Sequence, residues 1–169
     1  MRRFDILIDV QDERFIKNGI DEALIVACKD ALLSVVLPKV DFLNLNKDFS
    51  LNLALSDNQT VQALNKEFRG LDKPTNVLSF ANIDDPFFET MLENENDVEL
   101  GDVIVAFETL SKEADELEIS LKDHFCHLWV HGMLHILGYD HIKDNERLEM
   151  EAREVEILKK LGIENPYQE

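Results

Sequence analysis

Two cysteines, six glycines and four prolines are few for a chain of 169 residues, and each shortage closes off a class of protein. A disulfide-stapled secreted module needs a denser cysteine framework. Collagen-like, low-complexity and linker-rich chains need far more glycine and proline. Counting alone leaves a bond between Cys28 and Cys126 open. Both sit among apolar residues on expected helices, and in a reducing cytosol they are expected as buried free thiols. Long hydrophobic runs are missing too: no stretch approaches the roughly 20 apolar residues of a membrane span. Met1-Arg2-Arg3 resembles the positive start of a secretory signal, but Asp5, Asp9 and Asp12 interrupt any apolar run behind it. The expected location is the cytoplasm.

Basic residues are the remaining shortage. Lys and Arg number 17 against 35 Asp and Glu, a net charge of −18. Phosphate contacts supply most of the affinity of nucleic-acid readers, so a broad basic interface is excluded. The acid is unevenly placed, however. Residues 82–98 carry six acids and no Lys or Arg, whereas Thr60–Thr75 holds Lys66, Arg69 and Lys73 against Glu67 and Asp72. Any RNA partner must therefore be gripped locally or presented by a carrier.

What is present suffices for one domain over residues 1–169. An apolar share of 45% is that of an ordinary globular protein with its own core. Phe4–Gln11 and Phe49–Leu55 alternate at period two and predict strands. Asp21 predicts the cap of a helix with a stripe of Leu24, Ala27, Cys28, Ala31 and Val35, bounded by Pro38. Ser56 or Asp57 caps a second helix running to Phe68, with Val61, Leu64 and Phe68 facing inward. Gly70 and Pro74 open a loop, and short strands follow at 76–80 and 100–107. The acidic segment between them reads as a solvated excursion or a hairpin. Helical patterns occupy about 109–117, 120–137 and 144–161, the last with a stripe of Leu148, Ala152, Val155, Leu158 and Leu161, ending at Gly162. The expected class is α/β, layered as α+β: four strands and about five helices.

Chemistry concentrates in His127-Leu-Trp-Val-His131-Gly-Met-Leu-His135-Ile-Leu-Gly138-Tyr-Asp-His141. Four residues apart on a helix, His131 and His135 lie about 40° apart on one face, so their imidazoles meet at one point. Gly138 is placed to end the helix in a left-handed conformation and turn His141 back towards them. Three neutral imidazoles hold Zn2+ with a fourth position open for water, the catalytic pattern. Two histidines at this spacing are commonly incidental; the third after a glycine break argues for a metal site. Zinc peptidases place Glu directly after the first His as general base, and here that position is Gly132, which counts against peptide hydrolysis. The nucleophile is then the zinc-bound water itself, with Asp140 orienting a ligand histidine. His127 is too far along the axis, about 12 Å from His135, to share the ion; it is packed, hydrogen-bonded or near the substrate. His124 is expected on the surface. Cys126 points about 140° from His131. Phe125 and Trp129 read as core.

A second segment, Phe68-Arg69-Gly-Leu-Asp-Lys73-Pro-Thr-Asn76-Val-Leu-Ser-Phe80, places Arg69 and Lys73 on a Gly/Pro loop suited to binding phosphate. A solvated arginine is the plainer reading.

The motif His131-Gly-Met-Leu-His135-Ile-Leu-Gly-Tyr-Asp-His141 resembles the signature of the YbeY rRNA maturation factors. Asn65-Lys-Glu-Phe-Arg69-Gly-Leu-Asp-Lys-Pro-Thr and Leu100-Gly-Asp-Val-Ile-Val extend the resemblance, which runs from about residue 50 to the C-terminus. It implies a mixed four-stranded sheet packing a zincin-like metal helix, and zinc held by His131, His135 and His141. It also implies an endoribonuclease for single-stranded RNA, acting in 16S rRNA 3′-end maturation and ribosome quality control, with Arg69 facing the metal cleft. Partners on this reading are single-stranded rRNA and the ribosome or its proteins, with no membrane. Two positions depart from the pattern: Asn76, where the family usually has Asp, and Ala81, where it has Pro. An Asp that normally supports Arg69 or a loop amide would leave that contact weaker here. Two rival readings stand beside it: a non-catalytic zinc-containing ribosome assembly factor, suited to an acidic surface, and a small-substrate metallohydrolase.

Overall fold

A computed structural model of the chain describes residues 1–140 and 142–167. Along the chain run β1 (Arg3–Val10), α1 (Arg14–Lys17), α2 (Glu22–Val36), β2 (Asp48–Ser56), α3 (Asn58–Arg69), β3 (Val77–Ala81), α4 (Phe88–Asn94), β4 (Asp97–Ala106), α5 (Phe107–Leu117), α6 (Leu121–Ile136) and α7 (Asp144–Lys160). Short 3-10 turns add Asp41–Asn44 and Asn82–Asp84. The four strands form one mixed sheet in the order β1-β2-β4-β3. β1–β2 and β2–β4 are parallel, and the edge strand β3 runs antiparallel to β4.

Period-two alternation sets the layers. Phe49, Leu51, Leu53 and Leu55 of β2 are fully buried on one face, where they join Val98, Leu100, Val103 and Val105 of β4 and the inward faces of α2, α6 and α7. A smaller cluster covers part of the other face, with Val61 of α3 packing on Leu78, Ile104 and Ala106. Helix α6 is apolar nearly all round, which marks a helix that must be enclosed. Phe125, Trp129, Val130, Met133 and Leu134 are inaccessible, and the Trp129 indole N–H donates to the Ile25 carbonyl at 3.2 Å.

Local signals explain most boundaries. The Asp21, Asp57 and Ser120 side chains each accept a first-turn amide, from Leu24, Thr60 and Asp123. Gly70 ends α3 in the left-handed region. Cys28 and Cys126 are buried, unbridged thiols, and their mutual hydrogen bond together with burial pushes the Cys28 thiol far up and keeps it inert. No helix among the described residues is long and apolar enough to cross a membrane.

Four expectations need correction. Phe68, expected to face inward from α3, is 61% exposed. The acidic stretch after β3 is neither a hairpin nor an open excursion: it folds into a 3-10 turn and the short helix α4, because Phe88 plugs into the main core. The apolar stripe of α7 is offset from the expected one. Met150, Glu154, Ile157 and Leu158 are its buried residues, while Leu148 is 59% exposed. Helices are also more numerous: seven α-helices among the described residues, since α1 and α4 are too short to show a periodicity.

The β3–β4 register fixes the position of the functional edge and depends on Gly101. Its φ is +147°, and a Cβ there would lie 2.2 Å from the Phe80 carbonyl oxygen. Gly101→Ala must distort the Ala81–Gly101 pair and is expected to cost more than about 2 kcal/mol. Chemical denaturation checks this; an unchanged midpoint would contradict the register.

Candidate metal centre and RNA cleft

α6 carries the motif histidines along one side. The helix stops at Ile136, Gly138 adopts φ +101°, and the Tyr139 amide returns to the Leu134 carbonyl at 3.0 Å. This turn brings the Tyr139 carbonyl back over the helix end, where it accepts a hydrogen bond from His135 Nδ1 at 3.0 Å. A carbonyl only accepts, so the proton of that ring sits on Nδ1. His131 is directed in the same sense by another element: its Nδ1 lies 2.5 Å from Glu154 Oε1 on α7.

The opposite ring atoms then converge. His131 Nε2 and His135 Nε2 are 3.1 Å apart. With both Nδ1 protons engaged, the two Nε2 lone pairs face one another, and they repel unless a cation, either a proton or a metal ion, lies between them. Nitrogens that share a tetrahedral zinc at 2.0–2.1 Å are about 3.3 Å apart, so this spacing fits the donor set. Both imidazoles are held by hydrogen bonds at the far nitrogen, the usual support for ligand histidines. His141, the third expected ligand, lies outside the described residues.

Glu154 is fully buried. Burial alone would raise its pKa, but the His127 imidazole 3.7 Å away and hydrogen bonds from His131 and Tyr167 outweigh that, and the carboxyl is held down at about 2. The Tyr167 hydroxyl donates to Glu154 Oε2 and is itself pushed up by burial and by that carboxylate. His127 Nε2 lies 3.2 Å from the same hydroxyl, which makes it a hydrogen-bonded residue beside the centre rather than a ligand.

These histidines open onto a cleft of about 930 Å³, lined also by Arg69, Ser79, Glu113, Glu116, Tyr139 and Asp140. Arg69 reaches over the edge strand: its Nη2 donates to the Ser79 carbonyl at 2.9 Å, and its guanidinium lies 5.6 Å from the Phe80 ring centre. Asp140 is at the cleft next to the helix-terminating turn. Lys73 is exposed and is not among the residues lining this cleft. Asn76 does not support Arg69. Its Oδ1 accepts the Val77 amide at 2.7 Å, and its Nδ2 donates to both oxygens of Glu113 at 3.0 and 3.2 Å.

His124 is not a surface residue. It is 4% exposed, with Nε2 2.8 Å from Glu113 Oε1. A turn count on an isolated helix leaves it at the surface, whereas α5 packs over that turn and encloses it. Glu154, Tyr167 and Glu113 are the site residues that sequence reasoning missed. The available signal was spacing: Glu154 falls four after Met150 and three before Ile157, so an acid completes an apolar stripe.

Gly132 holds the position where a peptidase would have its base. A Cβ there would lie 2.9 Å from Val103 Cγ1, so this face of α6 presses on the sheet and has no room for an acid. Hydrolysis by the peptidase arrangement is thereby excluded at this position.

Glu154→Ala removes a fully buried acceptor shared by two part-buried donors, His131 and Tyr167, and opens a cavity. It is expected to lower stability by about 2–4 kcal/mol, checked by thermal unfolding; a loss under about 0.5 kcal/mol, the range of an ordinary surface change, would contradict the buried network.

The family model for endoribonuclease YbeY matches residues 16–162. A protein named endoribonuclease YbeY from Paramagnetospirillum magneticum is 52% identical over 119 residues, covering 70% of this chain and 71% of that protein. One from Colwellia psychrerythraea is 48% identical over 127 residues, covering 73% and 76%. Another, from Rhizobium etli, is 40% identical over 173 residues, covering 99% and 95%. The fold is similar to the solution structure of a Thermotoga maritima protein, with a TM-score of 0.55 at 22% identity over 97% of this chain and 99% of that one. The matched span contains the histidine helix, its turn and the arginine loop, and the chain belongs to the endoribonuclease YbeY family.

Proposed function

We propose that the chain is a zinc-dependent endoribonuclease that hydrolyses phosphodiesters of single-stranded RNA in the cleft between α6 and β3. The observation that carries this reading is the 3.1 Å convergence of His131 Nε2 and His135 Nε2, each ring held from behind. His131, His135 and His141 would hold the ion. When bound, zinc supplies Lewis acidity that lowers the pKa of coordinated water towards about 7. Arg69 binds the scissile or a neighbouring phosphate from the β3 side, neutralising charge that builds on phosphorus. Its hydrogen bond to the Ser79 carbonyl fixes the guanidinium in place before substrate arrives. Glu154 and Tyr139 keep both imidazoles correctly turned, and Asp140 lies beside the helix end to orient a ligand histidine.

The substrate proposed is the 3′ end of 16S rRNA precursor, with a role in ribosome quality control. A net charge of −18 slows encounter with naked RNA and suits basic ribosomal proteins that present the strand. Lys73, on the exposed loop beyond Arg69, would meet the RNA outside the cleft.

The test compares wild type, Arg69→Ala and His135→Ala on a single-stranded 16S rRNA 3′-end precursor, with zinc content measured in parallel. Arg69→Ala is expected to retain zinc and the fold while losing cleavage by about a hundredfold or more; His135→Ala is expected to lose both zinc and cleavage. Full zinc occupancy in His135→Ala would overturn the ligand assignment, and unchanged cleavage by Arg69→Ala would overturn the phosphate clamp.

A further inference from the structure

The cleft has two walls of opposite character. Arg69 stands on the β3 side, and α5 supplies Glu113 and Glu116 on the other. A phosphate is repelled from that second wall, so what meets it in an RNA complex is the base side of the strand.

Glu113 is fixed far more firmly than a surface acid. Its Oε1 is 2.8 Å from His124 Nε2 and accepts from Asn76 Nδ2 at 3.0 Å; among the described residues its Oε2 accepts only the longer 3.2 Å bond from Asn76. Asn76 is held in turn by the Val77 amide. His124 is 4% exposed and lines the cleft, and its Nδ1 is buried without a hydrogen-bond partner among the described residues. Three elements, α5, α6 and the start of β3, thus immobilise one carboxylate that the metal centre does not touch. Pairing the buried His124 would require only one oxygen. The Glu113 side chain nevertheless stays 33% exposed, and a carboxylate offers about four acceptor sites, so Oε2 keeps capacity towards the cleft.

Its position defines a reach. His124 and His131 are seven residues apart on α6, about 10 Å along the axis and nearly on the same face. That separates the scissile phosphate from a neighbouring base, not from its own oxygens. Fixed carboxylates accept from exocyclic amino groups, as acidic side chains do with cytosine N4. Uracil presents carbonyl oxygens where cytosine has that amino group.

We propose that Glu113, immobilised by Asn76 and His124, is a specificity-determining residue that reads the exocyclic amino group of a nucleobase beside the cleavage site and disfavours uracil there. This rests on the reading of the cleft as an RNA site. The neutral Asn76 amide is what allows two donations to Glu113; an Asp at this position would set a second carboxylate against it.

The test sequences the products cleaved from a randomised single-stranded RNA pool by zinc-loaded wild type, Glu113→Gln and Asn76→Asp. Glu113→Gln preserves shape and an oxygen for His124 but replaces an acceptor with an amide N–H. Wild type is expected to show an amino-bearing base at one position flanking the cut, preferred about tenfold over uracil. Glu113→Gln should erase that preference at that position alone, and Asn76→Asp should weaken it with Glu113 intact, which keeps the test decisive if the first variant fails to fold. A uniform fall in rate with an unchanged base profile would show a structural role and overturn the proposal, as would a wild-type profile indifferent to uracil. No cleavage of any RNA by wild type would refute the nuclease reading instead. Fluorescence anisotropy of cytosine- and uracil-containing oligonucleotides then decides separately: preference for cytosine lost in Glu113→Gln sustains base reading, and equal affinities overturn it.

Discussion

The Glu154 carboxylate is taken entirely out of water, and a buried charge costs several kcal/mol unless hydrogen bonds compensate. Here they do, from His131 Nδ1 and the Tyr167 hydroxyl. The same bond that stabilises the acid turns the imidazole. Glu154 therefore ties α7 to α6 and decides which His131 nitrogen looks into the cleft. Tyr139 does the same for His135 by a different route, because a left-handed Gly138 folds the helix end back on itself. The convergence of two Nε2 atoms at 3.1 Å is the outcome of these two contacts.

The sheet supplies the frame in which that convergence is useful. α6 presses so closely on β4 that only glycine fits at position 132, and this closeness sets the histidines beside the β3 edge. Arg69 arrives over that edge from α3 and is anchored on Ser79. A guanidinium on one side, with an acidic α5 wall on the other, gives the cleft a polarity across its width. An extended polyanion with uncharged bases matches that polarity, and the basic residues Lys66, Arg69 and Lys73 cluster in one segment of an otherwise acidic sequence.

Much of this was legible in the residues. Period-two runs located β1 and β2, and caps read at Asp21 and at Ser56 or Asp57 located two helices. The four-residue spacing placed His131 and His135 on one helix face, while the contacts that turn their Nε2 atoms together, from Glu154 and Tyr139, lie outside that pattern. What the residues did not disclose depends on contacts between distant elements. Glu154 lies 23 residues from His131, and a pattern reading assigns any Glu on a helix to solvent. His124 looked exposed because only the packing of α5 encloses it. Phe88 ordered an acidic stretch that composition alone marks as solvated.

Long-range nitrogen–proton NMR of His131 and His135, recorded with and without one equivalent of zinc, tests the account at its root. Protons on Nδ1 of both rings, with Nε2 resonances that move when zinc is added, are predicted. A ring that keeps its proton on Nε2 in the presence of zinc, or an Nδ1 resonance that moves in place of Nε2, would contradict it.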